Sequence, residues 1–374
     1  MQPNHRMSQH ATQDNGDQMT KNGFSWAIWG FAFGYFAFYV PYSATAKALS
    51  KGLFEGMSEG VRGFSLLPAS VSASLVGMIL FLSVMRWWRY ATQTQILGMS
   101  IPRPTSYTFA SGLCTALIIA TTTLAYTFDG VSIVFVMLLM RGGVLIIAPM
   151  IDSISGRSTQ WFSWAGLALS LTALIIAFSE RGGYTITLIC AIDIVVYLFS
   201  YFTRLKLMSG RAKSEVADVN RRYFVEEQLV ATPALLIMLM VFALIGSGPI
   251  AEQVRWGFTE VWESSVLGYV LLVGFLSQGT GVCGSLIFLD KRENTYCVPV
   301  NRCSSILAGL GASWLLTGLF GLPTPSTYKL AGAACIIGAI LFLTLGPLSQ
   351  RTRQSREADD YDKLGAQGSA LKGS

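Results

Sequence analysis

The stretch FVMLLMRGGVLIIAPMID, residues 135–152, decides how the rest of the chain is read. It is long and apolar enough to lie in a lipid bilayer, yet Arg141 sits near its middle. An arginine at membrane depth costs about 2.5–3.5 kcal/mol on insertion scales, so it persists where it faces protein, water or a ligand. The arrangement recurs 161 residues later in TYCVPVNRCSSILAGLGASW (295–314), with Arg302 in the matching place. Asp129 precedes Arg141 by 12 residues, and Asp290 precedes Arg302 by the same 12. That spacing is about 18 Å of helix at 1.5 Å per residue, within a hydrocarbon core about 30 Å thick. Both guanidiniums are therefore expected near the centre of the membrane, reached from opposite sides.

Composition widens this reading to the whole chain. Of 374 residues, 52% are hydrophobic and 13% charged, with a mean hydropathy of +0.49. Soluble domains carry about 25% charged residues, so a water-soluble protein is excluded. Ten apolar stretches have spanning length, at 24–46, 64–85, 107–127, 131–151, 161–179, 185–203, 224–246, 266–289, 295–317 and 328–347. In lipid each must satisfy its own backbone, which predicts helices; no stretch alternates as an outer-membrane barrel strand does. Residues 1–22 are polar, carry no signal-peptide pattern and are expected to form a disordered cytoplasmic tail, as are 348–374.

The ten stretches divide into two repeats of five, residues 23–180 and 181–347. An odd number per repeat turns the second upside down, and AGLALSLTALIIAF (165–178) resembles AGAACIIGAILFL (331–343). The expected fold is thus an all-α membrane protein with ten transmembrane helices in two inverted five-helix repeats. Secondary transporters use this plan, with the substrate held near the midplane between the halves. With the N-terminus inside, 19 of the 27 Lys and Arg residues fall in inside segments and 6 outside. The positive-inside rule then places both termini in the cytoplasm. A bacterial inner (plasma) membrane is the expected location, although eukaryotic membranes obey the same rule. The basic segment 204–223, with Arg204, Lys206, Arg211, Lys213, Arg221 and Arg222, reads as part of that topology signal and as a contact for anionic lipid.

Several chemistries are absent. The six cysteines lie in or beside apolar stretches without CxxC spacing, which suits small packing residues. The only histidines, His5 and His10, belong to the N-terminal tail, which excludes a histidine proton relay or a histidine-rich metal site in the membrane. No Walker A loop, HExxH, catalytic serine motif or dinucleotide fingerprint appears. No enzyme, cofactor, metal or nucleic-acid partner is expected. The partners are a small-molecule substrate and the bilayer; a homodimer is left open.

The residues that could carry chemistry cluster around the arginines. Gly142 and Gly143 bare the backbone beside Arg141. Pro299 lies one turn before Arg302, and Cys303, Ser304 and Ser305 make the following face small and polar. Two guanidiniums in such a place favour a phosphate, carboxylate or sulfonate. The alternative is that each is paired internally and holds the halves together. Asp193, eight residues into the sixth stretch, reads as a counter-ion to Arg141 or Arg302, a protonatable coupling group, or a solvated rim residue. Asp152 is expected to cap the cytoplasmic end of its helix, and Glu226 to pair with Arg222. Tyr39 and Tyr197 either line a cavity and stack on a sugar or base, or face lipid or a neighbouring helix. Gln278, among Gly279, Gly281 and Gly284, marks close helix packing and offers a hydrogen bond.

Residues 124–171, LAYTFDGVSIVFVMLLMRGGVLIIAPMIDSISGRSTQWFSWAGLALSL, resemble the helix 3–4–5 block of the drug/metabolite transporter superfamily, in its EamA-like branch. Where that block has a Gly-Glu turn, this chain has Gly156-Arg157. Residues 277–343 resemble the block again. MRGGV (140–144) looks closer to nucleotide-sugar-type members, and a basic residue in the fourth and ninth helices is the theme of sugar-phosphate transporters. Asn301-Arg302 stands where that group has Lys-Arg. The resemblance covers about 24–347 and implies a carrier. The expected substrate-binding set is Arg141, Arg302, Asp193, Gln278, Asn301, Tyr39 and Tyr197. The expected function is a secondary transporter moving a small organic, anionic metabolite by alternating access. The alternatives are an exporter of neutral or zwitterionic solutes such as amino acids, and a non-transporting membrane receptor or scaffold.

Overall fold

A computed structural model describes residues 5–346 except 58, 62, 97–98, 125–132, 180–187, 214–215 and 329. Side chains are also left undescribed at 5–26, 63, 96, 99, 123–124, 133–138, 177–178 and 189. Asp129 and the tail 348–374 lie outside the described residues. Helices stand at all ten apolar stretches: α1 (His5–Ser50), α2 (Gly63–Val84), α3 (Ser106–Leu124), α4 (Ile133–Ile154), α5 (Trp161–Phe178), α6 (Leu188–Arg211), α7 (Ala217–Ile245), α9 (Leu267–Phe288), α10 (Asn294–Phe320) and α11 (Leu330–Gly346). Among the described residues, four are long and apolar enough to cross a membrane: Phe64–Val84, Ala217–Ile245, Leu267–Phe288 and Asn294–Phe320. Spans of this kind suit a membrane-embedded protein.

The distribution of side chains agrees. Large apolar residues such as Phe33, Val84, Leu188, Phe199, Leu244 and Ile245 face outward. Polar and charged ones, among them Ser74, Arg204, Glu227, Gln278, Asn301 and Arg302, are buried. In water, an apolar surface of this extent would aggregate; in lipid it is solvated.

Three elements depart from expectation. Helix α1 begins at His5, so residues 5–22 extend the first helix rather than forming a disordered tail. Adding residues to an existing helix costs far less than nucleating one. Between α2 and α3, the strands β1 (Thr92–Ile96) and β2 (Met99–Arg103) pair antiparallel, with Thr92 opposite Arg103. Between α7 and α9, a short helix α8 (Pro249–Phe258) turns Ala251, Val254 and Gly257 inward and packs on α2. Its Arg255 caps α7: Nε donates to the Ala243 carbonyl at 2.7 Å, and Nη2 donates to that of Gly246. A cation suits the negative end of a helix dipole.

Packing runs across the chain rather than along it. Helix α1 lies against α9 and α10, and α6 against α3 and α4. Helix α2 lies on α9, and α7 on α3. Gly274 and Gly112 make the last two contacts close. A Cβ on Gly274 would collide with the backbone of Ser70, and one on Gly112 with Val230. Removing side-chain bulk in this way is how helices approach closely in lipid.

One end of the bundle is stitched by polar contacts. Asp152, at the end of α4, is fully buried and accepts four hydrogen bonds from the start of α10. The donors are the backbone N–H groups of Asn294 (2.8 Å) and Thr295 (2.6 Å), Asn294 Nδ2 (2.8 Å) and Thr295 Oγ1 (2.7 Å). A carboxylate there satisfies orphan donors and meets the positive helix end; Asp152 thus caps the start of α10 rather than the end of its own helix. Arg157 donates to the carbonyls of Lys291 (3.0 Å) and Ser209 (3.2 Å), and Lys213 to that of Arg292 (2.8 Å). Glu226 pairs with Arg222 at 3.0 Å, and also accepts from Thr92, Thr105 and Thr108. Asp290 pairs with Arg292 at 2.7 Å.

Candidate functional site

A cavity of about 270 Å³ lies at the centre, lined by α1, α2, α3, α4, α6, α7, α9 and α10. Its lining is duplicated. Tyr35, Tyr39 and Tyr42 form one stripe of α1, at the i, i+4, i+7 spacing that keeps residues on one helix face. Tyr197, Tyr201 and Arg204 form the same stripe of α6, 162 residues on. Leu67, Ser70, Val71 and Ser74 of α2 recur as Gln228, Ala231, Thr232 and Leu235 of α7, 161 on. Thr115, Ile118, Ile119 and Thr122 of α3 recur as Ser277, Thr280, Gly281 and Gly284 of α9, 162 on. Arg141 of α4 recurs as Arg302 of α10. Every lining residue of α1–α4 thus has a counterpart in the lining. Val273, Gln278, Ser285, Phe288 and Asn301 are additions of the second half.

The two arginines sit eight residues into their helices and meet tyrosines of the matching helix. Arg141 is half-buried, and its Nη2 donates to the Tyr39 hydroxyl at 3.1 Å. Arg302 stacks over the Tyr201 ring, with 5.1 Å from guanidinium carbon to ring centroid. Tyr35 and Tyr39 stack at 5.4 Å, and Tyr197 and Tyr201 lie tilted by 55° with centroids 4.8 Å apart, so each cation adjoins a ring pair. Arg302 is 5% exposed, and its Nε and Nη2 have no hydrogen-bond partner. Buried donors are almost always satisfied, so a guanidinium that meets the Tyr201 side chain but leaves two nitrogens unmet among the described residues, in a polar cavity, is a place for an anion.

Of the expected site residues, Arg141, Arg302, Gln278, Asn301, Tyr39 and Tyr197 all line this one cavity. The tyrosines face inward, not toward lipid. Gln278 Nε2 donates to Gln228 Oε1 at 3.3 Å, joining α9 to α7. Asp193 is the exception. It is 3% exposed, outside the lining, and neither carboxylate oxygen has a hydrogen-bond partner. It is no counter-ion to either arginine among the described residues and no solvated rim group: it lies on the 197–201–204 stripe one turn nearer the start of α6, buried beyond the lining.

Sequence reasoning missed the charged pair beside the cavity. Arg204 belongs to α6 and is buried, so it is not part of a solvated basic loop. It holds Glu227 through Nε–Oε1 at 2.7 Å and Nη2–Oε2 at 3.1 Å, and its Nη2 also donates to Ser285 Oγ at 2.9 Å. Glu227 further accepts from Ser111 (2.7 Å) and Thr115 (2.9 Å). The available signal was the spacing: Arg204 follows Tyr197 and Tyr201 on one face.

No family model and no curated protein matches the chain. Twenty-seven chains of solved structures resemble it. One crystal structure, described only as that of a protein, has a TM-score of 0.53 at 13% identity, over 87% of this chain and 98% of the other. The likeness is one of fold.

Proposed function

We propose that this chain is a secondary transporter of the drug/metabolite type, moving a small organic anion by alternating access. The observation that carries the reading is Arg302: a buried cation with unmet donors, in a cavity built by matching faces of two chain halves. A lining that repeats at a 161- or 162-residue offset supports two five-helix repeats related by inversion. The packing supports it too, because exchanging the halves maps α1 on α9 and α10 onto α6 on α3 and α4, and α2 on α9 onto α7 on α3. Such a cavity on a pseudo-twofold axis can be exposed to either side by rocking one half against the other.

Of the segments counted as inside, 86–106 meets Glu226 through Thr92 and Thr105, Arg157 donates to the Lys291 and Ser209 carbonyls, and Lys213 of 204–223 donates to the Arg292 carbonyl, all at the end of the bundle stitched by Asp152. We place that end and both termini in the cytoplasm, in a bacterial inner membrane. Ionic stitching of this kind suits a wet, Lys- and Arg-rich face.

Phosphate, carboxylate and sulfonate all fit a guanidinium fork. The tyrosine pairs add stacking surface for a ring or sugar face. With Asp193 outside the lining and Glu227 held by Arg204, no free carboxylate among the described residues lines the cavity to read an amine, which favours an anion over a zwitterion. A thermal-shift screen of purified protein against phosphorylated, carboxylated and neutral metabolites tests this. Anionic compounds are expected to raise the melting temperature in the wild type and to lose that effect in Arg302→Gln. Stabilisation by neutral compounds alone would remove the anion reading.

A further inference from the structure

The two ends of the cavity differ where its two halves differ. Along α1 the stripe Tyr35–Tyr39–Tyr42 runs away from the stitched end of the bundle. Along α6, which is antiparallel, Tyr197–Tyr201–Arg204 runs toward it. Tyr42 and Arg204 therefore mark opposite ends. At the first, Tyr42 lies in hydrogen-bonding reach of Ser277, a neutral contact. At the second, Arg204, Glu227, Ser111, Thr115 and Ser285 form a charged floor drawn from α3, α6, α7 and α9. The residue matching Glu227 in the first half is Leu66, 161 residues earlier, so that end has no such lock.

Tyr201 joins this floor to the anion site. Arg302 lies over its ring, and Arg204 is three residues further on the same face. One of these two cations has unmet donors, and the other has Glu227 for a charge partner. A broken buried ion pair is strongly penalised unless something replaces the lost partner.

We propose that the acidic group of a phosphate- or carboxylate-bearing solute docks between Arg302 and Arg204, takes Arg204 from Glu227, and so opens the floor toward the stitched end. The exchange replaces one anion by another, so Arg204 is never left alone, and Glu227 keeps Ser111 and Thr115 as donors. An empty carrier re-forms the pair and stays shut, which couples opening to occupancy. This inference rests on the transporter reading, and it makes Arg204 a substrate contact and Glu227 a positioning residue.

The chain carries its own reporter. Cys114, next to Thr115 on α3, is buried and within electrostatic reach of both Arg204 and Glu227. Full-length protein in oriented proteoliposomes is treated with a membrane-impermeant maleimide on the stitched side, and modification of Cys114 is followed by peptide mass spectrometry, with and without inorganic phosphate. In the wild type, phosphate is expected to speed labelling by about tenfold, one factor-of-ten step in the open population. Glu227→Gln is expected to label fast without phosphate, and Arg302→Gln slowly with or without it. Slow labelling of Glu227→Gln, no phosphate effect in the wild type, or an undiminished effect in Arg302→Gln each overturns the proposal. If Glu227→Gln does not fold, Ser111→Ala with Thr115→Val keeps the ion pair but strips its support; an unchanged rate there overturns it too. Labelling needs no flux, so a failed gate with intact anion uptake leaves the transporter reading standing, and the reverse result removes that reading alone.

Discussion

Replacing Arg302 by methionine is predicted to make the empty protein more stable. The guanidinium is 5% exposed, has no ion pair among the described residues, and leaves Nε and Nη2 unpartnered. Each buried, unsatisfied donor costs about 1–3 kcal/mol. The stack on Tyr201 returns about 2 kcal/mol, the figure for a desolvated cation–π contact. Over the two donors the net penalty is about 0–4 kcal/mol, centred on about 2, which an apolar chain of similar length removes. Arg204→Met is the internal control. It leaves Glu227 buried with only Ser111 and Thr115 as donors, and loss of one partner of a buried pair costs about 3–5 kcal/mol. Unfolding of the two variants in the same detergent, followed by tryptophan fluorescence, should move the apparent Tm up for Arg302→Met and down for Arg204→Met. A residue kept for structure destabilises when lost, and one kept for a ligand does not. If Arg302→Met falls as far as Arg204→Met, Arg302 is a structural tie and the anion site built on it does not exist.

Asp152→Ala should lower stability by about 3–5 kcal/mol in the same assay, because two backbone N–H groups and two side chains at the start of α10 lose a charged acceptor. Gly274→Leu should abolish folded expression, whereas Gly268→Leu, where a Cβ meets nothing, should leave it unchanged by size-exclusion chromatography. Asp193→Asn should alter anion affinity by less than about twofold, since the carboxylate is outside the lining and touches neither arginine; a larger loss would mean that it acts on the site through a contact the lining does not contain.

Much of the bundle was legible because lipid imposes its own rule on the backbone: an apolar run of spanning length has one stable conformation. Helix positions and the pairing of Arg141 with Arg302 followed from that rule and from spacing alone. The inward direction of Tyr39 and Tyr197 did not, because rings at a helical period suit a cavity wall and a lipid face equally well. Arg204 was obscured by position. It follows a nineteen-residue apolar run, and a basic residue there reads as a topology signal until its stripe with Tyr197 and Tyr201 is traced. Asp193 misled for the opposite reason: it shares a helix face with Tyr197, one turn on, and periodicity does not say how far along that stripe the cavity reaches. The hairpin at 92–103 and α8 lie in stretches where polar composition competes with no strong period, so neither announced itself.

Counterflow into proteoliposomes tests the central claim most directly. Wild-type protein, loaded with one anionic metabolite and presented with a labelled panel of phosphorylated and carboxylated compounds, is predicted to exchange at least one of them. The same vesicles bearing Arg302→Gln, folded by its melting profile, are predicted to exchange none. Exchange that survives the loss of Arg302, or a wild type that stabilises on binding anions yet moves none, would contradict the account.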